Sequence, residues 1–192
     1  MPLVLKKEEN NIILYIWKIQ ESLEELKAKY PKIDSPKFSS NKRTLECFTA
    51  RVLLNTYSPN CKIHYDSNGA PTTNLNKSIS ISHCDEHVCV AISKNNIGVD
   101  IEKISEKALK LKDKFINKNQ SNLTQKKATL IWTIKESVFK FHKKGNVNFK
   151  NDILLDDFTE KNEGDLVIKF KSKKLNAYFF MIDNKYITYV CK

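Results

Sequence analysis

Two short acidic segments hold the side chains best suited to chemistry. In Gly98-Val99-Asp100-Ile101-Glu102, an extended chain puts Asp100 and Glu102 on one side and Val99 and Ile101 on the other. Paired carboxylates repel unless a positive group lies between them, and a hard divalent cation is the usual partner. In Trp132-Thr133-Ile134-Lys135-Glu136-Ser137-Val138-Phe139-Lys140, helical spacing stacks Trp132, Glu136 and Lys140 along one face. Taken singly, each has a plainer reading. The first is a solvated strand end with two unrelated acids. The second is an i,i+4 ion pair worth roughly 0.2–0.5 kcal/mol, with Lys135 and Lys143 left to solvent. A third segment, Ser80-Ile81-Ser82-His83, ends a strand-like alternation before a turn at Cys84-Asp85-Glu86. His83, Cys84 and His87 have spacing that would hold zinc on a helix, but the segment does not read as one, so zinc is not expected.

The elements that must position these groups follow from hydrophobic period and turn chemistry. Ile12 to Trp17 is a continuous apolar run and predicts a buried strand. Glu21 to Tyr30 predicts a helix stopped by Pro31, and Asn41 to Tyr57 a longer one with Leu45, Phe48 and Val52 inward. Lys62 to Tyr65 predicts a short strand before a turn at Asp66 to Pro71. Ser78 to Ser82, Val88 to Ile92 and Ile97 to Ile101 predict three more strands, the last two joined tightly through Lys94-Asn95-Asn96. Ser105 to about Asn117 and Leu123 to His142 read as helices, and Asp165–Phe170, Ala177–Ile182 and Tyr186–Cys191 as closing strands. Each half thus offers helices beside short strands, which allows two α/β lobes with a join near Asn74 to Ser78, or domains of 1–76 and 77–192.

Bulk properties bound the function. The chain has 192 residues, 41% hydrophobic and 29% charged, as expected of a globular protein. No apolar run approaches the roughly 20 residues a membrane span needs, and the first residues lack a signal-peptide layout, so a cytoplasmic location is expected. Five scattered cysteines without a Cys-x-x-Cys pair argue against a disulfide framework and against structural zinc. Lys and Arg outnumber Asp and Glu 33 to 22, a net charge of +11 that attracts polyanions: nucleic acid, an anionic membrane, a phosphate-rich small molecule or an acidic protein. A basic nucleic-acid-binding domain would account for the charge. Yet there is no helix-turn-helix signature, no RNA-stacking aromatic motif and no long Lys/Arg run, and the acidic segments would go unexplained. A Mg²⁺-dependent phosphoanhydride hydrolase is a further alternative that keeps the metal.

The combination is more specific than its parts. An Ile-Ser-His strand end, then Gly-Val-Asp-Ile-Glu, then Trp-x-x-Lys-Glu-x-x-x-Lys about 30 to 40 residues later resembles the 4′-phosphopantetheinyl transferase superfamily. Within it the chain looks like the monomeric, two-lobed (surfactin-synthetase-activating) type, with the resemblance running from about Asn41 to Phe158. The resemblance implies an α+β fold of two pseudo-symmetric α/β lobes with the active site at their interface, the second lobe carrying the catalytic motifs. It implies transfer of 4′-phosphopantetheine from coenzyme A to a serine of an acidic acyl or peptidyl carrier protein, without nucleic acid or membrane as partner. It implies that Asp100, Glu102 and Glu136 ligate Mg²⁺, that Glu136 and Lys140 are catalytic, and that Lys140 also contacts the pyrophosphate. Ser82, His83, Arg43 and Thr44 would bind the adenosine end of coenzyme A, with His83 on its 3′-phosphate. Family members commonly read Gly-Lys-Pro where this chain has Gly69-Ala70-Pro71, so one phosphate contact is missing, with Lys77 or Lys62 as substitutes. Lys37 and Lys42 are further candidates for the 3′-phosphate.

Overall fold

Apolar runs too short and too β-branched for helices form the strands of two antiparallel sheets, and the two long amphipathic stretches form the helices that cover them. The computed structural model describes residues 3–9, 11–117 and 120–192 and is an α+β protein of two compact units, Met1–Lys94 and Asn95–Lys192. Among these residues no helix is long and apolar enough to cross a membrane.

In the first unit, β1 (Leu3–Glu9), β2 (Ile12–Lys18), β5 (Ser78–Cys84) and β6 (His87–Ser93) form a sheet of order β1-β2-β6-β5. β3 (Ile63–Tyr65) and β4 (Pro71–Thr73) make a separate hairpin. Its turn is fixed by Asp66, whose Oδ1 accepts from the amides of Asn68 and Ala70 at 2.8 and 2.9 Å. The short helix α1 (Leu23–Lys29) starts at a capping box in which Ser22 and Glu25 satisfy each other's amides. Helix α2 (Asn41–Tyr57) starts at Ser40, whose hydroxyl accepts from the Arg43 amide. It buries Phe48, Val52 and Leu53 in a core shared with Tyr15, Trp17, Val88 and Val90.

In the second unit, β7 (Ile97–Lys103), β8 (Ile153–Leu155), β9 (Gly164–Phe170), β10 (Lys173–Ile182) and β11 (Lys185–Cys191) form a sheet of order β7-β11-β10-β9-β8. Helix α4 (Gln125–His142) lies on one face, burying Leu130, Ile134 and Val138 with Ile168, Ala177 and Tyr186. Helix α3 (Glu106–Lys110) and a 3₁₀ turn at Lys112–Lys114 replace the single helix expected over 105–117. The chain bends there because Phe115 must turn inward, where it is fully buried.

The division at Lys94 differs from the 1–76 and 77–192 reading. β5 and β6 pair with each other, and β6 pairs with β2 in full register from Ile12↔Ser93 to Lys18↔His87, so residues 78–93 belong with the N-terminal sheet. β1, β4 and β8 carry too little apolar alternation to be read from sequence.

One glycine governs the packing of α4. A Cβ on Gly98 would collide with the main-chain carbonyl of Ser137 and the amide and Cα of Phe141. Main chain cannot swing aside as a side-chain tip can, so only a residue without a side chain lets α4 lie this close to β7. Replacing Gly98 by Ala is therefore expected to lower the unfolding free energy by about 1–3 kcal/mol or more, read from the shifted midpoint in urea. An unchanged midpoint would show that the helix–strand contact is looser than described.

Candidate active site

Because residues two apart on a strand share a face, Gly98, Asp100 and Glu102 all look toward α4, while Ile97, Val99 and Ile101 are buried on the other side of β7. α4 answers with its own stripe. Lys140 Nζ donates to Asp100 Oδ1 at 2.7 Å, and Trp132 Nε1 donates to Glu102 Oε1 at 3.2 Å. Glu136 lies between these two contacts in the helix stripe, one turn from each partner. The two acidic segments of the sequence thus meet across one helix–strand contact.

The electrostatics are those of a site with more negative than positive charge. Asp100 is only 4% exposed. Burial pushes the Glu136 carboxyl up to about 7; the negative charges of Asp100 and Glu102 add to the rise, and Lys140 and Lys107 oppose it. Glu102 is raised for the same reasons, burial first and Asp100 second, with the Trp132 hydrogen bond, Lys107 and Lys140 pulling back. Three carboxyl groups coupled in this way, against one contacting ammonium, suit a hard divalent cation in donor type and charge. Among the described residues no group of three or more His, Cys, Asp and Glu side chains is placed to hold a metal ion, and the three carboxyl groups form a platform rather than a ready-made cage.

Behind the platform, rings fix its geometry. Trp132 packs against Phe115 at 5.1 Å and Phe149 at 5.6 Å, and Phe149 against Phe139 at 5.7 Å. Phe149 is held in turn by Lys135, which sequence reading leaves to solvent and the structure buries. Its ammonium donates to the Phe149 carbonyl at 2.6 Å and to the Ile153 carbonyl. The reason lies in the helix phase: Lys135 faces the segment leading to β8 and the first residue of that strand, whose carbonyls accept from it. No feature of the Trp-x-x-Lys-Glu pattern distinguishes a buried lysine from an exposed one.

The first unit gathers a second polar group. His83, at the end of β5, contacts Arg43 through Nε2, and its Nδ1 lies 3.1 Å from Glu46 Oε2. Arg43 NH1 is 3.8 Å from the same carboxylate, which is 5% exposed. Burial raises the Glu46 carboxyl, while Lys42 and Arg43 draw it back. Arg43 and His83, 40 residues apart, are thus brought together, and Glu46 is a member of the cluster that sequence reading missed. Its only signal was a carboxylate three residues after Arg43 on a helix. Thr44 is buried beside them, donating to the Ser40 carbonyl at 3.1 Å and accepting from the Phe38 amide at 3.2 Å. Ser82 alternates to the opposite face of β5 from His83, alongside buried Ser80. His83 pairs with Val88 and Cys84 with His87 across the β5–β6 hairpin, so these three do not form a helical zinc clasp.

With this geometry in place, comparison with known proteins becomes specific. The model of the 4′-phosphopantetheinyl transferase superfamily matches residues 96–191, which takes in the whole β7–α4 site and the sheet through β11. This chain is a member of that superfamily. The match extends through the last three strands, where motif resemblance was loose, and begins after Arg43, Thr44, Ser82 and His83. The protein named 4′-phosphopantetheinyl transferase gsp, from Aneurinibacillus migulanus, is 34% identical over 130 residues, covering 64% of this chain and 53% of that protein. The chain therefore spans about half the length of the curated relative it matches.

Burial of Lys135 has a consequence for stability. Its pKa falls to about 8 from the ordinary 10.5 through desolvation, so the folded state disfavours the charged form. Below pH 8 both states are protonated and the penalty is complete. Between pH 8 and 10.5 the unfolded chain binds more protons than the folded one, so stability contributed by this residue rises with pH. The gap corresponds to at most about 3 kcal/mol, less whatever the two carbonyl hydrogen bonds return. Comparing wild type with Lys135→Met by urea unfolding from pH 7.5 to 10.5, the difference should move in favour of wild type as pH rises. A flat difference would place the ammonium in water.

Proposed function

We propose that the chain transfers 4′-phosphopantetheine from coenzyme A to a serine of an apo acyl or peptidyl carrier protein, releasing 3′,5′-ADP. The observation that carries the reading is the joining of Asp100, Glu102, Glu136 and Lys140 across the β7–α4 contact in a member of this superfamily. In the reaction, the serine oxygen forms a bond to the pantetheine-side phosphorus while that phosphorus loses its bond to the bridging oxygen of the diphosphate. The electron pair leaves with 3′,5′-ADP.

Asp100, Glu102 and Glu136 would hold Mg²⁺, which when bound supplies neutralising charge to the diphosphate. Lys140, anchored by Asp100, presents an ammonium to the phosphate oxygens and stabilises charge building on the leaving group. Glu136, directly or through a water, takes the serine proton. Arg43 and His83 receive the 3′-phosphate of the adenosine end, with Thr44 ordering the helix start beside them and Ser82 approaching from the other face of β5. The net charge of +11 favours encounter with a carrier protein acidic around its serine. We take the chain to act as a cytoplasmic monomer.

The test is mass spectrometry of an apo acyl carrier protein incubated with the chain, coenzyme A and Mg²⁺. The carrier should gain one phosphopantetheine, roughly 340 Da from its chemical formula, and the gain should vanish with a chelator. Glu136→Ala and Lys140→Ala are each expected to reduce the rate by about 10²-fold or more. Phosphate release without any carrier would instead identify a hydrolase, and duplex DNA binding that weakens steeply with salt would identify a nucleic-acid protein.

A further inference from the structure

The Arg43–His83–Glu46 cluster carries a feature that the proposed reading does not require. A site receiving a phosphate is expected to offer uncompensated positive charge and free donors. Here a carboxylate sits inside it. Glu46 Oε2 is 3.1 Å from His83 Nδ1 and 3.8 Å from Arg43 NH1, and Glu46 is 5% exposed, so it cannot turn away into water. The Glu46 carboxylate thus offsets the Arg43 guanidinium and is placed to accept from His83 Nδ1 when that nitrogen carries a proton.

Helix geometry makes this arrangement persistent. Arg43 and Glu46 are three apart on α2 and share a face, and β5 presents His83 to that face on the same side as Ile79 and Ile81, which pack in the α2 core. Neither position can drift without disturbing that core. An arriving phosphate must therefore compete with a fixed carboxylate for Arg43 and for His83, and the gain from binding it is reduced accordingly.

We propose that Glu46 is a specificity-determining residue that weakens this chain's dependence on the 3′-phosphate, so that it accepts 3′-dephospho-coenzyme A with little loss relative to coenzyme A. This rests on the reading above, that the adenosine end of coenzyme A is received by Arg43 and His83. In that reading Glu46 tunes which nucleotide form is used and does not touch the reacting atoms.

The experiment measures Kd by calorimetry for coenzyme A and for 3′-dephospho-coenzyme A with wild type, Glu46→Gln, Glu46→Leu and Arg43→Ala. Removing the carboxylate leaves one uncompensated positive charge near the phosphate, so the preference for coenzyme A should rise about tenfold in Glu46→Gln. Glu46→Leu, an apolar side chain for the same buried position, should shift the ratio in the same direction, and Arg43→Ala should lower it. A merely structural role would weaken both ligands alike and leave the ratio where it was. If Arg43→Ala lowers the ratio but both Glu46 variants leave it unchanged or reduce it, the inference is overturned and the reading of the site stands. If wild type binds neither ligand, the coenzyme A reading itself falls, and the inference with it.

Discussion

The approach of α4 to β7 at Gly98 is the constraint on which the second unit depends. Side chains ordinarily hold a helix about 10 Å from the sheet it covers. Here the helix main chain at Ser137 and Phe141 occupies the space a Cβ would need. That closeness lets Lys140 reach a carboxylate on the strand directly, and lets Trp132 do the same from two turns earlier. With a larger residue at 98, the two acidic segments would be separated by at least the width of a side chain, and their mutual electrostatic coupling would fade.

Closeness also concentrates charge. Burial and the charge of Asp100 raise the proton affinity of Glu102 and Glu136, so the site stores unfavourable repulsion that positive charge relieves. A protein keeps such an arrangement only if the surroundings hold it rigidly. The ring stack of Phe115, Trp132, Phe149 and Phe139 provides rigidity on one side. Lys135 supplies it from below by tying the carbonyl of Phe149 to that of Ile153 at the start of β8. A buried ammonium that satisfies backbone acceptors does structural work, although a lysine next to Glu136 invites a chemical interpretation.

At the start of α4, a strap formed by the segment after β8 secures the helix with polar contacts. Asp157 accepts from buried Lys127 at 2.5 Å and from Ser121, Thr124 donates to Glu160 at 2.5 Å, and Tyr186 donates from β11 to the Lys161 carbonyl at 2.6 Å. Asp157 is held down to about 2, chiefly by its hydrogen bonds from Lys127 and Ser121. This anchoring fixes the axial position of α4, and so which of its turns faces Asp100. Lys127 also lies 5.0 Å above the Phe158 ring, so the strap and helix are joined by packing as well as by charge.

Sequence alone determined the elements whose signals are local. The helix over Asn41–Tyr57, marked by its apolar stripe, appears with those bounds, the strand expected over Ile97–Ile101 runs on to Lys103, and the helix expected over Leu123–His142 starts at Gln125. The candidate site was legible for the same reason: Asp100 with Glu102, and Glu136 with Lys140, are pairs whose common face is fixed by the period of one element. What only the tertiary structure decided depends on which elements meet. The boundary moved to Lys94 because β6 pairs with a strand about 75 residues earlier, and no local pattern specifies a pairing partner. Lys135 looked solvated and Glu46 unremarkable, because burial and ion pairing are set by what packs against a residue. A lysine on a helix has the same spacing whether its neighbour is water or a carbonyl, and only the packed chain supplies the neighbour.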